Sequence, residues 1–194
     1  MATKEEWKKR VIEAIEKRSA EMIEIGETLL HIPEMGFKEV KTAALVEEKF
    51  RSMGLTYRKG LALTGVVAEL PGRAKKARLA IMGELDSILV PSNPNADPVT
   101  GAAHACGHNA SIAGMLGAGM GLLDSGVMKE LDGDVSLMAV PAEELVELEY
   151  RNKLRQEGKL VFLAGKQEFI RLGVLDGVDM VLMFHLKETD PVKK

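Results

Sequence analysis

A chain of 194 residues, 46% hydrophobic and 28% charged, has the material for one packed core and needs neither disulfide nor metal merely to fold. A net charge of −3 without a basic stripe argues against a nucleic-acid partner, and a single cysteine, Cys106, rules out an intrachain disulfide. The opening MATKEEWKKR has no apolar signal segment, and the most lipid-like run, 110–123, is too short and glycine-rich to span a bilayer, so a soluble cytoplasmic protein is expected.

In chain order, Thr3 and Glu6 fit a capping box, followed by a long amphipathic helix to about His31, with Trp7, Val11, Ile15, Met22, Ile25 and Leu29 at helical spacing. HIPEMGFKE (31–39) reads as a turn, and a second helix runs from about Val40 to Met53. Four apolar runs read as buried strands: GVVAEL (65–70), ARLAIMGEL (77–85), DVSLMAV (134–140) and DMVLMF (179–184). PGRAKK (71–76) reads as the turn of a hairpin joining the first two, and 86–106 as a long loop whose Pro, Asn, Asp and Gly forbid regular structure. A small-residue helix from about His108 to Asp124 suits close packing on a sheet, and the charged stretch 147–159 reads as a solvated surface helix. Strands alternating with helices give a layered α/β domain.

Four places carry groups capable of chemistry. Cys106-Gly107-His108 puts a thiol and an imidazole two residues apart where a loop enters a helix; it is a soft-ligand pair for zinc or a similar ion, or a core cysteine beside a histidine. Glu143 and Glu144 follow a strand and point in different directions, so that one can bind a metal while the other faces water; alone they are also an ordinary acidic loop. Glu84 and Asp86 close another apolar run, and strand alternation puts them on one side. His185 closes a third, as a ligand or a capped core residue. Taken together, three strand ends and one helix start converge on one edge of a parallel-type sheet.

The ordered motifs LLHIPEMGFKE, GELDS, HACGHN and VPAEE, with FH after them, resemble the M20 family of metallopeptidases and amidohydrolases, and cover the chain from Leu29 to His185. CGH resembles the aminoacylase and auxin-conjugate hydrolase branch; GELD and CGHN are closer to the aminobenzoyl-glutamate hydrolase and aminoacylase-like dipeptidase subgroup. The resemblance implies a three-layer αβα fold of the zinc-exopeptidase type holding two divalent ions, Zn or Mn. In that scheme Cys106 bridges the ions, and His108, Glu144 and His185 are further ligands. Glu143 is the general base, and Asp86 orients the ligand histidine. Glu84 and Asn109 depart from the commoner forms of their motifs; His104 and His31 receive no catalytic role.

The family continues past this length with a lid or dimerisation domain and one more histidine ligand. Residues 1–194 therefore read as a catalytic domain incomplete at its C-terminus and lacking the lid. The expected reaction is hydrolysis of an amide bond in N-acyl amino acids or dipeptides by a parent that is a homodimer, with the chain alone hydrolysing little. The alternatives are an inactive fragment or binding module retaining the fold, and a cysteine hydrolase using Cys106 as nucleophile, which leaves PAEE and GELD unexplained.

Overall fold

The computed structural model describes residues 2–186. Glu188 and Asp190, considered from sequence as poor candidates for the missing ligand, lie outside them.

The N-terminal capping box forms as expected, with Thr3 and Glu6 exchanging backbone bonds. The single long helix does not. It divides into α1 (Lys4–Lys17) and α2 (Ser19–Leu30), because Arg18 leaves the helical backbone and its N–H turns back to Ile15 and Glu16 carbonyls. The break lets both halves follow the same neighbour, the small-residue helix α4 (His108–Asp124), where Ile15 sits over Gly121 and Met22 over Gly117. Helix α3 (Val40–Ser52) packs Val46 and Phe50 into the same core.

The central sheet has five strands in the order β1-β2-β6-β3-β7, namely Tyr57–Leu61, Gly65–Leu70, Asp134–Val140, Arg78–Glu84 and Met180–Met183. The expected hairpin between β2 and β3 is absent. β6 lies between them, antiparallel to β2 and parallel to β3. The segment 71–76 instead crosses the start of β6, where Gly72 N–H donates to Asp134 Oδ1. A turn sequence encodes a reversal of direction but not which strand fills the next place.

Alternate residues feed two cores. Val66, Ala68, Leu70, Val135, Leu137 and Ala139 face α2, α3 and α4 on one side of the sheet. Val67, Ala80, Met82, Met138 and Val140 face Leu154, Leu160 and Phe169 on the other. Helix α5 (Leu148–Gln156) supplies Leu154 and α6 (Gly165–Arg171) supplies Phe169, completing three αβα layers. Burial on both faces is why β2, β3 and β6 read as unbroken apolar runs; β7, expected as a buried strand, is instead the exposed edge of the sheet, with Met180 and Leu182 each 57% exposed.

Two further readings are corrected. The 86–106 loop contains a short ribbon, β4 (Ile88–Leu89) antiparallel to β5 (Ala102–Ala103). The stretch 147–159 is a surface helix and turn, mostly exposed as expected, but it is not solvated all round: Arg151 (0% exposed) and Leu154 (6%) turn one stripe into the core. Among the described residues, no helix is long and apolar enough to cross a membrane.

Candidate metal centre

The parallel strands β3, β6 and β7 end on one edge of the sheet and deliver Glu84 and Asp86, Glu143 and Glu144, and His185 to it. Cys106 and His108 arrive from the opposite direction, on the turn into α4. Gly107 makes that turn in the left-handed region at φ 83°, and a Cβ there would run into Leu186.

His108 is the centre of the arrangement and is fully buried. Its Nδ1 meets the Asp86 carbonyl at 2.8 Å and Asp86 Oδ1 at 3.3 Å. Its Nε2 points at carboxylates: Glu84 Oε2 at 3.1 Å, and Glu143 Oε2 and Glu144 Oε1 each at 3.9 Å. Asp86 Oδ2 accepts the Glu144 N–H at 2.9 Å, tying the second strand end to the first. On the outer side Cys106 Sγ lies 3.2 Å from His185 Nε2, and both line an open depression with His104. The atoms that could hold a metal form two groups that share His108: Cys106–His108–His185 and Glu84–His108–Glu143.

The electrostatics fit a site built for positive charge. Burial pushes the His108 imidazole down, but Asp86 and Glu84 outweigh it and hold the pKa at about 9. Burial, followed by Glu144, Glu143 and Glu84, pushes the Cys106 thiol up to about 12. His104 is driven down to about 4 by burial and then by the charge of His108, and neither of its ring nitrogens has a partner among the described residues.

Sequence reasoning missed three charged residues here. Lys166, on the first turn of α6, ion-pairs with Glu84 Oε1 and lies 3.6 Å from Glu143 Oε1. Arg151 donates to the carbonyls of Leu163 (2.8 Å), Ala142 (3.4 Å) and Glu144, so it clamps the loop that carries both glutamates. Its guanidinium fills the space beside Gly36, where any Cβ would collide with it. Glu39, within the HIPEMGFKE motif, accepts from Ala142 N–H at 2.7 Å and from Thr64 Oγ1 at 2.6 Å. Asn109, by contrast, turns away from the site and donates to the Gly26 carbonyl of α2.

Burial raises the Glu39 carboxyl from its ordinary 4.5 to about 7, against the two hydrogen bonds and with help from Asp86. The folded chain thus favours the proton. The stability tied to that proton is complete below pH 4.5 and is lost as pH rises through 7, for a change of about 3 kcal/mol. Glu39→Gln should flatten this decline. Urea unfolding at a series of pH values checks it, and parallel declines in both proteins would clear Glu39 as the source.

No family model matches the chain. Thermostable carboxypeptidase 1 of Saccharolobus solfataricus is 30% identical over 175 residues, spanning 88% of this chain and 40% of that protein. The N-acetylcysteine deacetylase of Bacillus subtilis is 31% identical over 179 residues, spanning 88% and 41%. Among solved structures, Bacillus subtilis YxeP, a dinuclear metal-binding peptidase from the M20 family, superposes with a TM-score of 0.68 at 29% identity, covering 89% of this chain and 44% of that one. The chain spans about 40% of the length of the curated relatives it matches. With the motifs converging on one sheet edge, in a fold shared with YxeP, the chain belongs to the M20 family of metallopeptidases and amidohydrolases.

Proposed function

We propose that the chain is the metal-holding part of an amidohydrolase acting on N-acyl amino acids or dipeptides. The observation that carries this is a pair of buried atoms that face each other at 3.1 Å and have no hydrogen-bond partner among the described residues, Glu84 Oε2 and His108 Nε2. Acceptors left bare in a protein interior are costly, and a cation relieves them. Cys106, His108, Glu144 and His185 are the residues we assign to hold two divalent ions, Zn or Mn. Such ions, when bound, polarise a carbonyl and make water acidic.

The other residues prepare that chemistry. The Asp86 carbonyl accepts a hydrogen bond from His108 Nδ1 and so leaves Nε2 as the nitrogen that would hold an ion. Glu143 and Glu144 stand equally far from His108 Nε2, so their roles divide by surroundings. Glu144 is the more buried and hydrogen-bonds the Cys106 thiol, as suits a ligand. The side chain of Glu143 is 35% exposed, open to substrate and water, as suits a base that takes a proton and passes it to the leaving amine. The relatives' names support the substrate class: one removes the acetyl group from N-acetylcysteine, another is an N-acyl-L-amino acid amidohydrolase of Geobacillus stearothermophilus. The reading also requires Cys106 reduced, which suits the cytoplasm.

The Cys106–His185 contact gives the cysteine-hydrolase reading its one support, but a thiol pushed up by burial and three carboxylates is a poor nucleophile. The two readings separate on metal content. Dialysed against Zn or Mn, the chain should retain metal, and His108→Ala and Glu144→Gln should each lose most of it. Cys106→Ser should bind more weakly, since a hydroxyl replaces a thiolate. Wild-type metal content in all three variants would refute the site.

A further inference from the structure

We propose that Glu84 is an additional ligand, through Oε2, of the ion held at His108, and that Lys166 fixes its other oxygen so that it binds through one atom. This rests on the metal-hydrolase reading above. The motif resemblance gives Glu84 no role.

Glu84 is the last residue of β3 and is 1% exposed. Its two oxygens have different fates. Oε1 is taken by the Lys166 ammonium. Oε2 is buried and has no hydrogen bond among the described residues, although His108 Nε2 lies 3.1 Å away, equally buried and equally without a partner there. Because the Asp86 carbonyl accepts from His108 Nδ1, Nε2 is the ring nitrogen left to face Glu84 Oε2. The spacing fits one ion: ligand atoms at about 2.0–2.2 Å from a metal lie roughly 3–3.5 Å from each other. Glu143 adds a further negative charge within the same small volume, which favours a cation there. Lys166 cannot itself be the missing cation at Oε2, since its ammonium is committed to Oε1 on the other side of the carboxylate and reaches on to Glu143 at 3.6 Å.

The test is metal binding by the 194-residue chain, measured calorimetrically with Zn and with Mn. Glu84→Gln keeps the shape and removes the anionic ligand. It should weaken binding at least tenfold and shift the visible bands of bound Co(II), which report the donor set. Lys166→Met should strengthen binding, since a cation leaves the site while Oε2 remains. If Glu84→Gln does not fold, Glu84→Asp retains the charge, withdraws the oxygen by one methylene and should show the same weakening. Wild-type affinity and unchanged Co(II) bands in the Glu84 variant, with metal lost in His108→Ala, would overturn the Glu84 assignment and leave the metal centre standing. Equal weakening in the Glu84 and Lys166 variants would also overturn it, because that marks a structural ion pair. A wild-type chain that binds neither ion would remove the metal reading itself.

Discussion

Replacing Arg151 with methionine is expected to destabilise the chain by about 3–5 kcal/mol, a fall in melting temperature of roughly 10–15 °C. Methionine keeps most of the apolar stem but none of the N–H groups. The carbonyls of Ala142, Glu144 and Leu163 lose their donor, and the Phe37 ring loses the guanidinium that lies 5.3 Å from its centroid. The buried positive charge is also the counterweight to Asp86, Glu39, Glu147 and Glu144. Removing it leaves that acidic neighbourhood unbalanced. Thermal unfolding of the two proteins measures the loss. A change within 1 °C would mean that α5 lies on the protein without bracing it.

Glu143→Gln is expected to act on chemistry alone. In a preparation of this catalytic part that turns over an N-acyl amino acid, kcat should fall about 10²–10⁴-fold while bound metal stays at the wild-type level. Glutamine has the shape of glutamate but cannot take a proton from water. Single-turnover rates and metal analysis on the same sample separate the two effects. Loss of metal parallel to loss of rate would make Glu143 a ligand, and would reverse the roles assigned to the adjacent glutamates.

The strand ends were legible because the chemistry of the site follows its topology. Apolar runs ending in GELD, PAEE and FH announce a sheet edge lined with carboxylates and a histidine, and HACGHN announces the helix that meets it. What stayed hidden depends on pairing in space. Lys166 is 82 residues from Glu84 in sequence, and nothing local in AGKQEF marks it as the partner of a buried acid. Arg151 was hidden by its company: in LEYRNKLRQ only Arg151 and Leu154 are buried, so the helix reads as solvated although one narrow stripe enters the core. Strand order was hidden for a similar reason. PGRAKK is a sound turn signal, but the pairing of β2 with β6 joins residues more than sixty positions apart. The ribbon β4–β5 is only two residues per strand, shorter than any periodicity can reveal.

The glycines of α4 have a consequence for how the site comes into being. Gly114, Gly117, Gly119 and Gly121 let Phe184, Met22, Leu137 and Ile15 approach the helix axis. Each costs roughly 1 kcal/mol of helix propensity relative to alanine, about 4 kcal/mol over one helix. A segment so handicapped does not hold a helix in water by itself, and it becomes helical only as the sheet and the N-terminal helices close around it. His108 is its first residue. The buried position of the imidazole that both candidate groups share is therefore reached only by a chain whose core has already condensed.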